Sequence, residues 1–478
     1  MDTKSNLDAF LNPRSVAVIG ATERPGSWGS FIMEGLLSTD YSGKIYPVNN
    51  KADQIFGLPA VGDLKQVAGP VDLAVLTIPQ PFVEEAVRDC AIKEVRGLIL
   101  ITAGYGEVLE KDKSKEAALA ELARSHGMRL LGPNVSGTFN IHAGFNASAA
   151  PVEHLRPSPL AVICQGGFAI YDLLAAGFSR GMGVGKFIHT GNEADLTVTD
   201  FLEYFGKDPE VRAVLLYLET IRDGNRFLNV ARDVAGSKPV VVYKAGRTPG
   251  SARAAQSHTG ALSGREEVYQ GLFHQAGIVN VPTMELLLPV GHALIERPPL
   301  RGPRVAIITV GGSWGVALSD AFEEAGLLVP ELSSGLQGKL RSLGMPPRAS
   351  TRNPVDFGAS GLFLSVDTPP ALAREILASG EVDALILHGI GRPGMNTDNI
   401  SEEWRAFMEV EAEQIASLHK LEGETGLPVL IGSHFSPLES QVLSDLGKKG
   451  IRSYNKTIET AQLLSLMHLY WSRRLNGQ

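Results

Sequence analysis

The sequence KAGRTPGSARAAQSHTGALSG, residues 244–264, follows the apolar run 239–243, which predicts a buried parallel strand. The stretch opens with basic and small residues and then places His258 between Ser257 and Thr259. Small neighbours leave an imidazole uncrowded and let another group approach it closely. The pattern favours a chemical role for His258, and a hydrogen-bonded loop histidine is the alternative interpretation.

Outward from this stretch, the chain runs three times from an apolar strand through a glycine-rich turn into a helix. Each start opens a series of alternating strand and helix signals, which is typical of doubly wound parallel sheets. Proline-rich stretches precede the second and third starts and indicate linkers. The sequence therefore predicts an α/β protein with domains at residues 1–148, 149–299 and 300–478. The three starts are 15–20 with ATERPGSWG, 160–164 with QGGFAI, and 304–309 with VGGSWGVAL.

Composition excludes several classes of protein. A net charge of -8 argues against a general binder of nucleic acid or of anionic membranes. The two cysteines, Cys90 and Cys164, are too few for a disulfide framework or a cysteine-rich metal site, and they fit a reducing compartment. We expect no metal site, no nucleic-acid partner and no membrane partner. Because the sequence has neither an apolar leader nor a long uncharged apolar run, it predicts a cytoplasmic protein.

The first domain carries the signals of a nucleotide-binding edge. In the turn after its first strand, small residues let the backbone approach a phosphate at the start of a helix. Its second strand ends in Asn49 and Lys51 without the carboxylate that binds an NAD ribose, which favours a phosphorylated ribose, as in coenzyme A or NADP. Ordinary strand-to-helix turns are the alternative interpretation. The predicted nucleotide-binding residues are Gly20, Ala21, Thr22, Gly26, Asn49, Lys51, Ile78, Pro79, Thr102, Ala103 and Asn134.

Four loops of the second domain follow strand ends, so we expect them to meet at one edge of a parallel sheet. One of them carries Glu219, which directly follows the apolar strand VLLYL. A carboxylate there could fix the tautomer of His258, as the third group does in acyl-transfer triads. A carboxylate that stabilises a helix start is an equally good interpretation of Glu219. The predicted phosphate-binding residues are Gln165, Gly166, Gly167, Gly191 and Asn192.

Taken in order, these motifs carry a resemblance to a known family. The series SVAVIGAT, YPVN, GPN, GNEAD, YLE, KAGRT, AAQSHTGAL and NPVD resembles the α subunit of NDP-forming acyl-CoA synthetases, relatives of succinyl-CoA synthetase. The resemblance implies an N-terminal Rossmann-like CoA-binding domain followed by two flavodoxin-like ligase domains. It implies that His258 carries a phosphoryl group and that Glu219 steadies it. By matching motif, the CoA side includes Gly20, Ala21, Thr22, Asn49 and Pro79.

The resemblance also implies a reaction and a partner. Acyl-CoA, ADP and phosphate would be interconverted with a carboxylic acid, CoA and ATP through an acyl phosphate and a phosphohistidine. The pattern G-x-x-x-x-G-K-[ST] does not occur in the sequence, so ATP or ADP with Mg is expected on a separate ATP-grasp β subunit, in an α2β2 heterotetramer. Family members usually have Ser-Gln-Ser-Gly where this chain has Cys164-Gln165-Gly166-Gly167, so two hydroxyls are missing.

Two other functions fit parts of the sequence. Residues 311–315, GGSWG, match the G-x-S-x-G of hydrolases, with Ser313 as nucleophile and His388, His419 or His434 as base. A glycine-rich turn that allows close helix packing explains the same residues. A regulator that binds CoA or acyl-CoA without catalysis would keep the scaffold and lack the phosphohistidine.

Overall fold

The structure is a computed structural model, and it describes residues 7–106, 113–251, 253, 265–358, 366–391 and 401–475. Three largely parallel sheets with flanking helices confirm the predicted α/β class. By its contacts the chain forms two compact units, Met1–Phe178 with Gly183–Gly291, and Ser179–Met182 with His292–Gln478. Among the described helices, none has both the length and the apolar character needed to cross a membrane.

The first sheet belongs to the first unit and is parallel throughout. Its strands are β1 Ser15–Ile19, β2 Lys44–Val48, β5 Leu73–Leu76, β6 Gly97–Leu100 and β7 Arg129–Leu131, with a short ribbon of β3 Gln54–Ile55 and β4 Leu58–Pro59. The helices are α1 Trp28–Leu37, α2 Val83–Ile92 and α3 Lys113–Ser125. The strand order is β2-β1-β5-β6-β7. Strands β1, β5 and β6 are buried along their whole length, which explains why each is a continuous apolar run.

The second sheet contains seven strands and also belongs to the first unit. Its strands are β8 Gly137–Asn140, β9 Phe145–Ser148, β10 Leu160–Cys164, β11 Lys186–His189, β12 Ala213–Leu218, β13 Val240–Lys244 and β14 Val279–Asn280. The helices are α4 Ala169–Ser179, α5 Val198–Lys207, α6 Gly224–Ser237, α7 Glu266–Ala276 and α8 Leu287–Glu296. The order is β14-β13-β12-β10-β11-β8-β9, in which β8 pairs antiparallel with both β11 and β9.

Strands β8 and β9 were not predicted from the sequence. They lie before residue 149, yet they extend the second sheet rather than the first. The second sheet therefore begins at Gly137. The domain limits 1–148, 149–299 and 300–478 remain predictions from the sequence.

The third sheet lies in the second unit and is again parallel. Its strands are β15 Val305–Thr309, β16 Val355–Asp356, β17 Ala384–His388, β18 Val429–Gly432 and β19 Ser453–Tyr454, in the order β16-β15-β17-β18-β19. The helices are α9 Gly312–Glu324, α10 Ser334–Ser342, α11 Thr368–Ala378, α12 Glu402–Thr425, α13 Gln441–Lys448 and α14 Thr457–Leu475. The sequence predicted β15 as the third strand start but not the two-residue edge strands β16 and β19.

Apolar side chains on the faces of each sheet form the core. In the second sheet, Val214 and Leu216 are fully buried against helix residues that include Phe201 and Phe227. Burial of one such side chain contributes about 1.5–3 kcal/mol. The cost of displacing them keeps the sheets rigid, so the loops at the strand ends start from fixed positions.

The three sheets share one strand order. Counted along the chain within each sheet, the parallel strands run 2-1-3-4-5 in all three. In this arrangement the loops after the first and third strands turn to opposite faces and open a crevice where ligands bind. In the second sheet these loops follow β10 and β12, and they carry Gln165 and Glu219. The fold therefore brings the predicted phosphate turn and the predicted carboxylate to one crevice.

Candidate active site

A cavity of about 380 Å³ lies at the carboxyl ends of the first and second sheets, within the first unit. We call it the edge cavity. Loops after β5, β6, β7, β10 and β11 line it, as the rule for parallel sheets requires. Three aromatic residues, Trp28, Phe168 and Tyr171, form part of its wall. The predicted site residues that line it are Ile78, Pro79, Thr102, Ala103, Asn134, Gln165, Gly167, Gly191 and Asn192.

The remaining predicted nucleotide-binding residues lie in two neighbouring loops, one after β1 and one after β2. Gly20, Ala21, Thr22, Gly26, Asn49 and Lys51 do not line the edge cavity. Asn49 joins the two loops, because its Nδ2 donates to the carbonyl of Ala21 at 2.8 Å and its Oδ1 accepts from the Lys51 amide at 2.7 Å. Gly20 has φ +93°, and a Cβ there would lie 2.7 Å from Oγ1 of Thr77. The loop after β1 is thus packed onto the loop that lines the edge cavity.

Two asparagines join the loops of the two sheets across the edge cavity. Asn134 Nδ2 donates to Asn192 Oδ1 at 3.3 Å, and the Asn192 amide donates to the carbonyl of Pro133 at 3.0 Å. Between them, Gly191 has φ +57°, and a Cβ there would lie 2.4 Å from the Pro133 oxygen. Gly191 is therefore required for the close approach of the two loops.

We predict that Gly191→Ala destabilises the protein more than Gly26→Ala. Both glycines have positive φ, but a Cβ on Gly26 meets nothing within 4 Å. Gly26→Ala should cost about 1 kcal/mol through backbone strain alone. Gly191→Ala should cost about 2–4 kcal/mol, because the displaced carbonyls add to that strain. Urea unfolding of both variants measures the difference, and equal losses would contradict the close-approach role.

His189 is a residue of the edge cavity that the sequence did not single out. It is 4 % exposed at the end of β11. Its Nδ1 accepts from the Ser136 amide at 2.7 Å, and its Nε2 lies 2.9 Å from the carbonyl of Gln165. These partners require the neutral tautomer with the proton on Nε2. The ring therefore positions the phosphate turn, and its place directly before Thr190-Gly191 was the only signal in the sequence.

A second cavity, of about 740 Å³, lies on the other side of the phosphate turn. We call it the loop cavity. Gly166, Gly167, Phe168 and Glu219 line it, and Gly167 and Phe168 also line the edge cavity. Through Gly167 and Phe168, the turn 166–168 thus forms a wall that both cavities share. Three polar residues that follow β13 in the chain also line the loop cavity: Arg247, Thr248 and Ser251.

Glu219 is held in place through its main chain. Its amide donates to Gln165 Oε1 at 2.6 Å, and its carbonyl accepts from Lys244 Nζ at 2.8 Å. Helix α6 begins at Gly224, and its N-cap is Asp223, whose side chain accepts from the Arg226 amide. The helix-capping interpretation of Glu219 is therefore wrong. The carboxylate is buried, with the residue 8 % exposed, and it lines the loop cavity.

The side chain of Gln165 bonds the loop that carries Glu219. Its Oε1 also accepts from the Thr220 amide at 2.9 Å. Its backbone amide donates to the carbonyl of Tyr217 at 3.1 Å, so among the described residues this amide is already bonded and Gln165 does not supply the donor to phosphate that the sequence predicted. The side chain instead couples the phosphate turn to the loop that carries Glu219.

Lys244 is a second residue whose role the sequence did not show. It is 1 % exposed, and its Nζ lies 4.4 Å from the centre of the Tyr269 ring. Burial lowers the pKa of Lys244, although the nearby carboxylates of Glu266 and Glu219 oppose this shift. Its contact with the Glu219 carbonyl makes it a positioning residue for the Glu219 loop.

Cys164 and Gly166 replace the two serines that the resemblance leads one to expect. Cys164 is fully buried in β10, and burial raises the pKa of its thiol, with the Glu219 charge adding to the shift. It therefore stays a neutral thiol. A Cβ on Gly166 would lie 2.7 Å from the ring of Tyr217 and 3.2 Å from a carboxylate oxygen of Glu219. The space beside Gly166 is thus already filled.

The third sheet carries the residues of the hydrolase alternative. Ser313 is exposed in the first turn of α9. The Trp314 ring lies 5.7 Å from that of His388 and 5.0 Å from that of His434, centre to centre. Burial, and then the neighbouring His434, lowers the pKa of His388 to about 4. In the described part of the chain, no hydrogen bond joins Ser313 to His388, His419 or His434.

His258 lies outside the described residues. Ser251, which lines the loop cavity, precedes it by seven residues. Seven extended residues span at most roughly 23–25 Å. The chain that carries His258 therefore starts at the loop cavity and is long enough to return to it.

Comparison with protein families assigns the two halves of the first unit. Residues 14–139 match the model of a CoA binding domain. Residues 157–294 match the model of the succinyl-CoA ligase like flavodoxin domain. The edge cavity lies between the regions covered by these two matches, and the loop cavity is lined by residues of the second.

Individual relatives agree with these domains. The chain is 39 % identical over 354 residues to subunit alpha of acetate–CoA ligase [ADP-forming] II from Pyrococcus furiosus, which covers 74 % of this chain and 76 % of the relative. It is 40 % identical over 356 residues to subunit alpha of the corresponding ligase I from the same organism, with the same coverage. The solved structure of the dinucleotide forming acetyl-coenzyme A synthetase 1 from Ca. Korarchaeum cryptofilum, in complex with phosphate and ADP, matches 99 % of this chain and 100 % of that chain with TM-score 0.85 and 31 % identity.

The fold, the cavities and these matches define a CoA ligase of the succinyl-CoA ligase type. More narrowly, the chain belongs to the family of α subunits of ADP-forming acyl-CoA synthetases. The resemblance drawn from its motifs is thereby confirmed.

Proposed function

We propose that this chain interconverts acyl-CoA, ADP and phosphate with a carboxylic acid, CoA and ATP, through an acyl phosphate and a phosphohistidine on His258. The observation that carries the proposal is the shared wall 166–168. On one side lies a cavity at the edge of the CoA-binding region, and on the other lies a buried carboxylate beside the start of the His258 segment. A phosphoryl group formed against this wall is separated from the Glu219 carboxylate by one turn only.

The edge cavity fits the reactive end of CoA and the acyl group. Its wall combines apolar side chains such as Ile101 and Val135 with the polar groups of Thr102 and Asn134, a mixture that suits the pantetheine arm. CoA supplies the thioester, which activates the acyl carbon. A phosphate oxygen attacks that carbon, the C–S bond breaks, and the leaving thiolate takes up a proton. The residues proposed to hold CoA here are Ile78, Pro79, Thr102, Ala103 and Asn134.

The phosphate turn provides donors for the anion in this step. Gly166 and Gly167 lie just before Phe168 and the start of α4, and they have no Cβ that would cover their backbone amides at this helix start. A Cβ on Gly167 would lie 3.1 Å from the ring of His189. Glycine at this position therefore lets the positioned ring of His189 lie against the turn.

The second step moves the phosphoryl group to His258. A neutral imidazole nitrogen attacks phosphorus, the P–O bond to the acyl oxygen breaks, and the carboxylate leaves. Glu219 accepts a hydrogen bond from the other ring nitrogen and stabilises the charge on the ring. In the third step the phosphoryl group passes to ADP, and all steps run in reverse when acid is activated with ATP.

The phosphoryl group must leave this chain to reach ADP. Two relatives are named as alpha subunits, which implies a partner subunit. We propose that the partner is an ATP-grasp β subunit that binds ADP or ATP with Mg, in an α2β2 assembly. A cytoplasmic location, where both thiols stay reduced, fits this proposal.

Covalent labelling tests the proposed function. The full chain with its copurified partner should incorporate radiolabelled phosphate when acyl-CoA is supplied, and the label should be lost in acid. Mass spectrometry should place it on the peptide that contains His258. A regulator would bind CoA and take up no label, and that result would overturn the proposal.

The hydrolase alternative predicts that Ser313→Ala abolishes activity, whereas the synthetase should not depend on this hydroxyl. Ser313→Ala should leave synthetase activity within about twofold of the native enzyme, because the hydroxyl is exposed and no hydrogen bond joins it to an imidazole in the described part of the chain. Steady-state assays of thioester cleavage with and without phosphate measure this. Phosphate-independent cleavage that Ser313→Ala abolishes would establish the hydrolase instead.

A further inference from the structure

The loop cavity contains a tyrosine that the proposed reaction has not yet used. Tyr217 lies on β12, paired with Cys164 of β10 on one side and with Tyr243 of β13 on the other. Its ring occupies the space beside Gly166, where a Cβ would lie 2.7 Å from Cε1 and 3.3 Å from Cζ. Tyr217 therefore stands where a side chain of residue 166 would otherwise extend.

The hydroxyl groups that line the loop cavity differ in whether they already have a hydrogen-bond partner. Those of Thr248 and Ser251 lie 2.9 Å apart and bond each other. Within the described residues, the Tyr217 hydroxyl has no hydrogen-bond partner, although the ring is packed between two strands. A hydroxyl that is held by a buried strand and has no partner in the described part of the chain can bond a group that enters the cavity.

We propose that the Tyr217 hydroxyl donates a hydrogen bond to the phosphoryl group on its way to His258, in place of the side-chain hydroxyl that Gly166 lacks. The inference rests on the proposed function and adds a catalytic residue to it. As the P–O bond to the acyl oxygen breaks and the N–P bond forms, negative charge spreads over the three remaining phosphoryl oxygens. Tyr217 bonds one of these oxygens, and its proton stays on the phenol.

The surroundings keep Tyr217 a donor. Burial, and then the charge of Glu219, raises the pKa of its phenol, so the O–H stays protonated at any working pH. Arg247 also lines the cavity, with its guanidinium 5.3 Å from the centre of the Tyr243 ring. This cation offsets part of the negative charge that Glu219 and Asp172 bring to the same cavity.

The first test removes the hydroxyl alone. In the full chain with its partner subunit, Tyr217→Phe should slow labelling of His258 from acyl-CoA and phosphate by about 10- to 100-fold, the loss typical of one donor to a charged group. CoA binding should not change. Tyr204→Phe is the matched control, since its hydroxyl bonds Asp8 at 2.8 Å and does not line either cavity. A larger loss in Tyr243→Phe would move the role to Tyr243 and overturn the proposal.

The second test restores a hydroxyl from the turn. Tyr217→Ala clears the space beside Gly166, so the double variant Gly166→Ser/Tyr217→Ala can present a serine hydroxyl there. It should recover at least about tenfold of the labelling rate lost in Tyr217→Ala, which is what one restored bond to a charged group supplies. Gly166→Ala/Tyr217→Ala fills the same space without a hydroxyl and should recover nothing. Equal rates in the two double variants would show that Tyr217 acts only by packing.

Failure of this inference is distinguishable from failure of the proposed function. If the native chain takes up no label on His258, the proposed function fails and Tyr217 has no phosphoryl group to bond. If the native chain is labelled on His258 and Tyr217→Phe is labelled at the same rate, only the role of Tyr217 fails.

Discussion

Replacing His258 with alanine is expected to abolish both turnover and phosphate labelling while CoA binding is retained. The covalent step needs an unprotonated nitrogen that attacks phosphorus, and removal of a nucleophile that carries an intermediate typically costs roughly 10⁴-fold or more. Cys164 cannot replace it, because the thiol is fully buried and its raised pKa keeps it neutral. Single-turnover labelling and equilibrium CoA binding measure the two halves of this expectation.

A second histidine provides the control for that experiment. His274 is exposed on α7, in the same part of the sequence, and lines neither cavity. His274→Ala should retain native turnover. If His258→Ala keeps either label or turnover, the phosphohistidine is elsewhere and the proposed function is wrong.

The second large effect is expected at Glu219. Glu219→Gln should lower the labelling rate by about 10²-fold, because the amide cannot stabilise the positive charge that the imidazole gains as it takes up the phosphoryl group. The fold should survive, since Gln165 and Lys244 hold Glu219 through its backbone amide and carbonyl, which the substitution leaves in place. Rapid-quench labelling gives the rate, and thermal unfolding checks the fold.

An exposed glutamate controls for the loss of one negative charge. Glu203→Gln removes a partly exposed carboxylate on α5 that pairs with Lys207, away from both cavities. It should label at the native rate. A native labelling rate in Glu219→Gln would leave Glu219 without a role in the transfer.

The sequence was sufficient for the parallel strands that are buried on both faces. Strands such as β1, β5 and β10 are continuous apolar runs because helices cover both of their faces, and each is followed by a glycine-rich or polar turn. The edge strands were missed for the opposite reason. Strands β16 and β19 have two residues each, too few to show a period, and β8 and β9 depend on pairing with β11 rather than on their own pattern.

For the site, the sequence identified the loops that form it but not the role of each residue in them. Nine predicted residues line one cavity, because parallel strands end at a common edge. Gln165 was predicted to bind phosphate, yet its backbone amide donates to the carbonyl of Tyr217 and its side chain bonds the Glu219 loop. The sequence did not reveal the roles of His189 and Lys244, since these roles consist of contacts with residues distant in the chain.

The sequence by itself therefore determined the α/β class, the family, and the residue types that stand at the carboxyl ends of the strands, because these follow from local period and local spacing. Only the tertiary structure decided that one turn separates two cavities, that Asp223 rather than Glu219 caps α6, and that Tyr217 fills the space beside Gly166. Such facts depend on which strands become neighbours, and strand order is set by packing across the whole sheet.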